Sequence, residues 1–213
     1  MNRAAAITRV KRGLGFRSDL DDEIASALQE AQRLLERGRT LPYFLLQESQ
    51  NFAVTSGSAE ISLPTGFLRE KEDERFYYSN SDDELIFLEK LAFDIIKGRF
   101  PDTVEDGAPL AYCIRKSTVL IKPDRDTSYT LIWSYYKAAD ALTSNIENAW
   151  LEEEYGAPEV LIGKAGMILS EDLGDAIALG RFTKMFSEGW AGMLSDDIER
   201  QAVGRPLNIG ARL

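Results

Sequence analysis

The hydrophobic period of this 213-residue chain changes twice along its length, and that limits the possible folds more than any other feature. In SDLDDEIASALQEAQRLLERG (18–38), Ile24, Ala27, Leu28, Ala31, Leu34 and Leu35 recur at steps of three and four, the mark of an amphipathic helix. Ser18 stands where a cap is wanted, acids fill the first turn, and Gly38 supplies the stop. The period then falls to two. NFAVT (51–55) and AEISLP (59–64) flank a Ser56-Gly57-Ser58 turn and read as a hairpin, while AYCIRK (111–116), TVLIKP (118–123) and SYTLIWSYY (128–136) read as strands. From Lys137 the helical period returns. The pattern predicts an α+β fold: a mainly helical bundle with an inserted small antiparallel β subdomain and an extended C-terminal arm.

The remaining elements follow from local signals. Residues 3–12 suit a short helix stopped at Gly13-Leu14-Gly15. Ser81 and Glu84 have capping-box spacing, so 81–101 is expected as a helix with Leu85, Leu88, Leu91 and Ile95 inward, ended by Gly98 and Pro101. A helix from Lys137 to about Tyr155 is expected to break at Gly156. The next begins near Pro158 and carries Val160, Leu161, Ala165 and Ile168 up to an interruption at SEDLGD (170–175). A last helix places Ile177, Phe182, Phe186 and Met193 near one face. The division predicted is 1–49 and 136–198 for the bundle, 50–135 for the β subdomain, and 199–213 for the arm.

Composition narrows the chemistry. The chain has no histidine and one cysteine, Cys113. That excludes internal disulfides, cysteine zinc clusters, histidine general bases and the triads built on them. No glycine completes a phosphate loop around Gly163-Lys164, and GLG at 13–15 is only a fragment of a dinucleotide fingerprint. No cofactor motif is present, and no catalytic or metal-binding residue is assigned. Asp124 and Asp126 could hold Mg²⁺ for phosphoryl chemistry, but KPDRDTS also reads as a polar turn. Asp172 and Asp175 suit capping. Trp133, Tyr135, Tyr136 and Trp150 could form a cage or partner surface, but their strand and helix spacing favours core. No apolar run is long enough to span a bilayer, and the N-terminus lacks a signal-peptide core, so a soluble intracellular product without membrane contact is expected.

Charge is unevenly placed. Arg3, Arg9, Lys11, Arg12 and Arg17 precede the first acid, Arg200, Arg205 and Arg212 follow the last, and all 35 acids lie between. Such a body disfavours stable binding to nucleic acid, whose affinity rests on neutralising phosphates. The basic N-terminal segment could touch DNA or could be an ordinary amphipathic helix. These readings favour a binding or structural protein over an enzyme.

Several stretches in order resemble the head–tail adaptor (connector) proteins of tailed bacteriophages. They are LPYFLL (41–46) after the early helices, SLPTGFLRE (62–70), the strand running into YYKAADALTSNIENAWL (135–151), and PEVLIGKAGMILSED (158–172) with Phe182 and Phe186 beyond. The segment from about 71 to 110 departs from the family pattern. The resemblance implies a non-enzymatic virion protein at the head–tail junction, made in the bacterial host cytoplasm. It would form a ring of twelve copies between the portal and the next tail or stopper component. DNA would pass through the channel without specific binding during packaging and ejection. It also implies that the arm docks on the portal through Arg205, Leu207, Ile209, Arg212 and Leu213, and that the aromatics at 133–150 stiffen the joint between sheet and bundle.

Overall fold

The computed structural model describes the chain except for residues 18, 58–59, 73, 102–105, 125–126, 144–147 and 203–213, and the side chains at 197 and 199–202. In chain order the elements are α1 (Arg3–Gly13), α2 (Asp21–Glu36), β1 (Leu46–Val54), β2 (Glu60–Ser62), β3 (Phe67–Glu70), β4 (Tyr77–Ser79), β5 (Leu85–Phe87) and β6 (Glu89–Lys90). They continue with α3 (Phe93–Arg99), β7 (Ala111–Arg115), β8 (Thr118–Lys122), β9 (Tyr129–Lys137), α4 (Ala157–Asp172) and α5 (Ala176–Ala202). The fold is α+β. It divides into a helical unit, Met1–Leu45 with the chain from Ala139 onward, and a sheet unit, Leu46–Ala138.

The helical unit is built around α4. Ten of its residues are buried, including Val160, Leu161, Ile162, Ala165 and Leu169, so it is wrapped by neighbours where the sequence suggests only a stripe. Glycine sets how close those neighbours come. A β-carbon at Gly163 would lie 2.7 Å from the backbone N of Phe186 on α5. One at Gly166, or at Gly13 on α1, would lie 2.2 Å from the Phe182 ring. Gly13 and Gly163, one glycine from each failed nucleotide motif, are therefore packing residues, and Phe182 of α5 lies against the bare backbones of α1 at Gly13 and α4 at Gly166. α2 buries Ile24, Ala27, Leu28, Ala31 and Leu35 as expected, but Leu34 is exposed and Ser18 lies outside the described residues. Ile177 is likewise exposed, while Phe182 and Met193 are buried and Phe186 is half-buried. Asp175 caps α5, accepting from Ile177 N at 3.1 Å and Ala178 N at 2.9 Å.

Among the described residues, the expected helix from Lys137 to Tyr155 does not form. Residues 149–151 and 153–155 form single 3₁₀ turns, and no helix is described from 138 to 148. A buried carboxylate holds this connection instead. Oε1 of Glu36 accepts from Ala139 N at 3.1 Å, Trp150 Nε1 at 3.1 Å and Gln32 Nε2 at 2.9 Å. Gln32 also donates to the Ala139 and Asp140 carbonyls, and Asn148 Oδ1 caps the turn at Trp150 N. These bonds replace the helical ladder, because a buried peptide group must find some partner.

The sheet unit is layered. Sheet one runs β1-β9-β4-β5, with β3 also paired to β9, and sheet two runs β2-β8-β7-β6. Strands β7, β8 and β9 match the sequence reading. The hairpin expected around Ser56-Gly57 does not form, since β1 pairs with β9 and β2 with β8. The helix expected over 81–101 is also corrected. Tyr77–Ser79 and Leu85–Phe87 make an antiparallel hairpin, and a helix covers only Phe93–Arg99. Asn80 forms the turn, its Oδ1 accepting from Asp82 N at 3.0 Å and Glu84 N at 2.9 Å. Of the four residues expected inward there, Leu88 is buried, whereas Leu85 and Ile95 are exposed. Leu91 is half-buried against the second core cluster of this unit.

Both sheets share one core, with Val54, Tyr78, Leu131, Trp133 and Tyr135 from sheet one against Tyr112, Val119 and Ile121 from sheet two. Trp133 is its centre, with the rings of Phe76 at 4.3 Å, Phe67 at 5.2 Å and Tyr135 at 5.5 Å. α3 packs Ile96 onto Ala111, Cys113 and Leu120 on the far side of sheet two. Such aromatic stacks add to area burial and make a stiff, dry layer.

Candidate functional site

The basic N-terminal residues are largely engaged by the chain itself. Arg9 pairs with Glu159 of α4 at 2.9 Å, Lys11 pairs with Asp21 of α2, and Arg3 donates to the Thr143 carbonyl at 3.2 Å. Arg17 makes a two-pronged bond to Asp19, with distances of 3.0 and 2.7 Å. That bond, with the guanidinium charge beside it, pulls the Asp19 carboxyl down to about 2. α1 is an ordinary amphipathic helix that buries Ala6 and Val10, with Arg12 exposed and Arg3, Arg9 and Lys11 engaged within the chain. Its charges tie it to its own unit.

Of the two acids of KPDRDTS, Asp124 is likewise engaged within the chain. Asp124 pairs with Lys122 at 2.9 Å, and Asp126 lies outside the described residues. Among the described residues no group of three or more His, Cys, Asp or Glu is placed to hold a metal ion. Tyr112 donates to Glu70 at 3.2 Å, and burial followed by that carboxylate pushes its phenol well above the ordinary value. Glu70 pairs in turn with Lys90, and the Cys113 thiol is raised by burial. These groups stabilise the sheet unit and leave no activated nucleophile among them.

The aromatics split between the two units. Trp133 and Tyr135 belong to the sheet core, Trp150 is buried in the helical unit against Phe44 at 5.1 Å, and Tyr136 is half-buried beneath the guanidinium of Arg69. All four have structural surroundings, as their spacing suggests. The arm residues Arg205, Leu207, Ile209, Arg212 and Leu213 lie outside the described residues.

The outer face of sheet one carries exposed apolar side chains. Phe87 of β5 stands opposite Tyr77 of β4, Tyr77 opposite Ile132 of β9, and Ile132 opposite Asn51 of β1. Directly opposed residues share a face, so these form a row across the sheet. Phe87 is 57% exposed and Leu85, two residues earlier on the same face, 56%. Their alternates Ile86 and Tyr78 lie with the core. The helix of this unit, α3, covers sheet two and not this face. Leu85 and Phe87 thus form an exposed apolar pair flanked by the half-buried Tyr77 and Ile132, surface that a partner could cover. Sequence reasoning missed it because it placed Leu85 inside a helix.

The described residues thus form a mixed α+β fold with several N-terminal charges paired within the chain and exposed apolar side chains on one sheet face. Residues 1–210 match the family model described as SU10 adaptor protein, and the chain belongs to that family of phage head–tail adaptors. Among curated proteins, no significant match is found. The family is structural rather than enzymatic, and its place is the head–tail junction of the virion. No helix among the described residues is long and apolar enough to cross a membrane.

Proposed function

We propose that this protein assembles as a ring between the portal and the next tail or stopper component, and that DNA passes through the channel. The observation that carries the reading is the family match across residues 1–210. Two physical features support it. The outer face of sheet one offers apolar surface that side-by-side copies would cover. The acidic body would let phosphates slide past wherever it faces the lumen, where a basic wall would hold them. Twelve copies is the number the family resemblance implies.

In this reading the arm that meets the portal is residues 203–213, shorter than the 199–213 expected because α5 continues to Ala202, with Leu207, Ile209 and Leu213 as apolar anchors and Arg205 and Arg212 reaching acidic or carbonyl partners. Ordering such a segment costs about 1–2 kcal/mol per residue in backbone entropy, so the anchors must outweigh that. Electron microscopy of purified portal mixed with this protein tests the proposal. A ring added to one end of the portal is expected, weakened when Leu207 and Ile209 are both replaced by Asp. Bare portals at saturating protein would contradict it.

A further inference from the structure

A second surface on the molecule has a chemistry that matches one particular segment of the same chain. A groove of 430 Å³ runs between the N-terminal half of α2 and the C-terminal end of α4. Its floor is apolar, with Ala27 and Leu169 buried, and Leu173 stands 41% exposed at its mouth. Its rim is Asp22, Glu23, Glu30 and Asp172, all exposed. None of these four carboxylates makes an ion pair among the described residues, while Asp19, Asp21 and Glu159 of the same unit all do.

Helix electrostatics account for only half of the rim. Asp22 and Glu23 sit in the first turn of α2, where a negative charge is favourable. Asp172 is the opposite case. It ends α4, whose last turn holds no basic residue, and so stands at the end of the helix that repels it. Glu30 lies mid-helix with no compensation from either end. A cation from outside the fold would relieve both.

The segment with the complementary chemistry is the arm. Residues 203–213 hold Arg205 and Arg212, the apolar Leu207, Ile209 and Leu213, and no acid. Within one copy, α5 carries the arm away from this groove. α5 starts at Ala176, directly after the α4 turn, and its 27 residues carry the chain away from that turn. At about 1.5 Å per residue this is roughly 40 Å. Leu207 lies five positions beyond Ala202, a reach of at most about 18 Å for an extended chain. Even Leu213, at about 40 Å, would need the whole arm pulled straight. A second copy can offer its groove without such extension.

We propose that the groove between α2 and α4 receives residues 203–213 of a second copy of this chain, with Leu207 and Ile209 on the floor and the two arginines among the rim carboxylates. The groove is a property of this chain alone, so the inference goes beyond the portal reading and does not depend on it.

The test is fluorescence anisotropy of a labelled peptide of residues 203–213 titrated with the full-length protein. Saturable binding is expected, weakened by added salt and at least tenfold weaker with a Glu30→Lys, Asp172→Lys double variant. A peptide carrying Arg205→Glu and Arg212→Glu should regain binding to that double variant, which also shows that the variant is folded. No binding to the natural protein, equal binding to the double variant, or no recovery with the reversed peptide would each overturn the proposal. A peptide that binds the portal but not this chain would remove the groove and leave the adaptor reading standing.

Discussion

The helical unit and the sheet unit reach their stability in different ways. The helical unit brings backbones together, with Gly13 and Gly166 making room for Phe182 and a single buried carboxylate, Glu36, holding its irregular connection. The sheet unit relies on aromatic mass, with Trp133 ringed by Phe52, Phe67, Phe76 and Tyr135. The first depends on a few contacts of demanding geometry, the second on many of tolerant geometry. The sheet unit also leaves one face bare, with Phe87 and Leu85 on water. The lesson is that a rigid core and an unsatisfied surface can belong to the same small sheet, which is what an assembly component requires.

Trp133→Ala should have the largest effect, about 3–5 kcal/mol by denaturant titration, because it empties the centre of the sheet core. Glu36→Ala should follow at about 2–3 kcal/mol, since it leaves the Ala139 and Trp150 N–H groups buried without an acceptor. Glu36→Gln keeps one carbonyl oxygen and should recover about half of that loss. If the alanine variant were as stable as the natural protein, the polar account of the helical unit would fall.

Gly163→Ala should cost about 1–3 kcal/mol, because the new methyl meets the α5 backbone and not a flexible side chain. A smaller effect is expected in alkali. Burial and Glu70 keep Tyr112 protonated in the fold, while the unfolded phenol ionises near the ordinary value of about 10. The unfolded state then binds fewer protons, so stability is full below pH 10 and falls as pH rises above it. Tyr112→Phe should flatten that fall, and an unchanged slope would assign it to other groups. Phe87→Ser should shift stability by no more than about 0.5 kcal/mol yet weaken self-association seen by sedimentation. A large loss of stability there would mean that the face is core and not interface.

Local patterns told the truth wherever the partner of a residue lies close in sequence. The α2 stripe, the start of α4 at Pro158 and strands β7 to β9 were all legible, and so was the cap at Asp175. The failures share one cause. Ser56-Gly57 signals a turn but cannot say that its two strands pair with β9 and β8, which are distant in sequence. Leu85, Leu88 and Leu91 have helical spacing and Leu85 and Phe87 have strand spacing, so a short apolar run stays ambiguous until its neighbours are known. The segment after Lys137 has a helical period, but Glu36, about a hundred residues earlier, satisfies its peptide groups differently. The bare face and the acidic groove are both made of residues from separate elements, and no single stretch announces either.

The most direct test of the adaptor reading is the mass in solution, by light scattering, of this protein alone and mixed with the portal ring of its phage. A ring-sized mass, or a shift onto the portal that requires residues 203–213, is the predicted result. A monomer that leaves the portal mass unchanged at every concentration would contradict the reading.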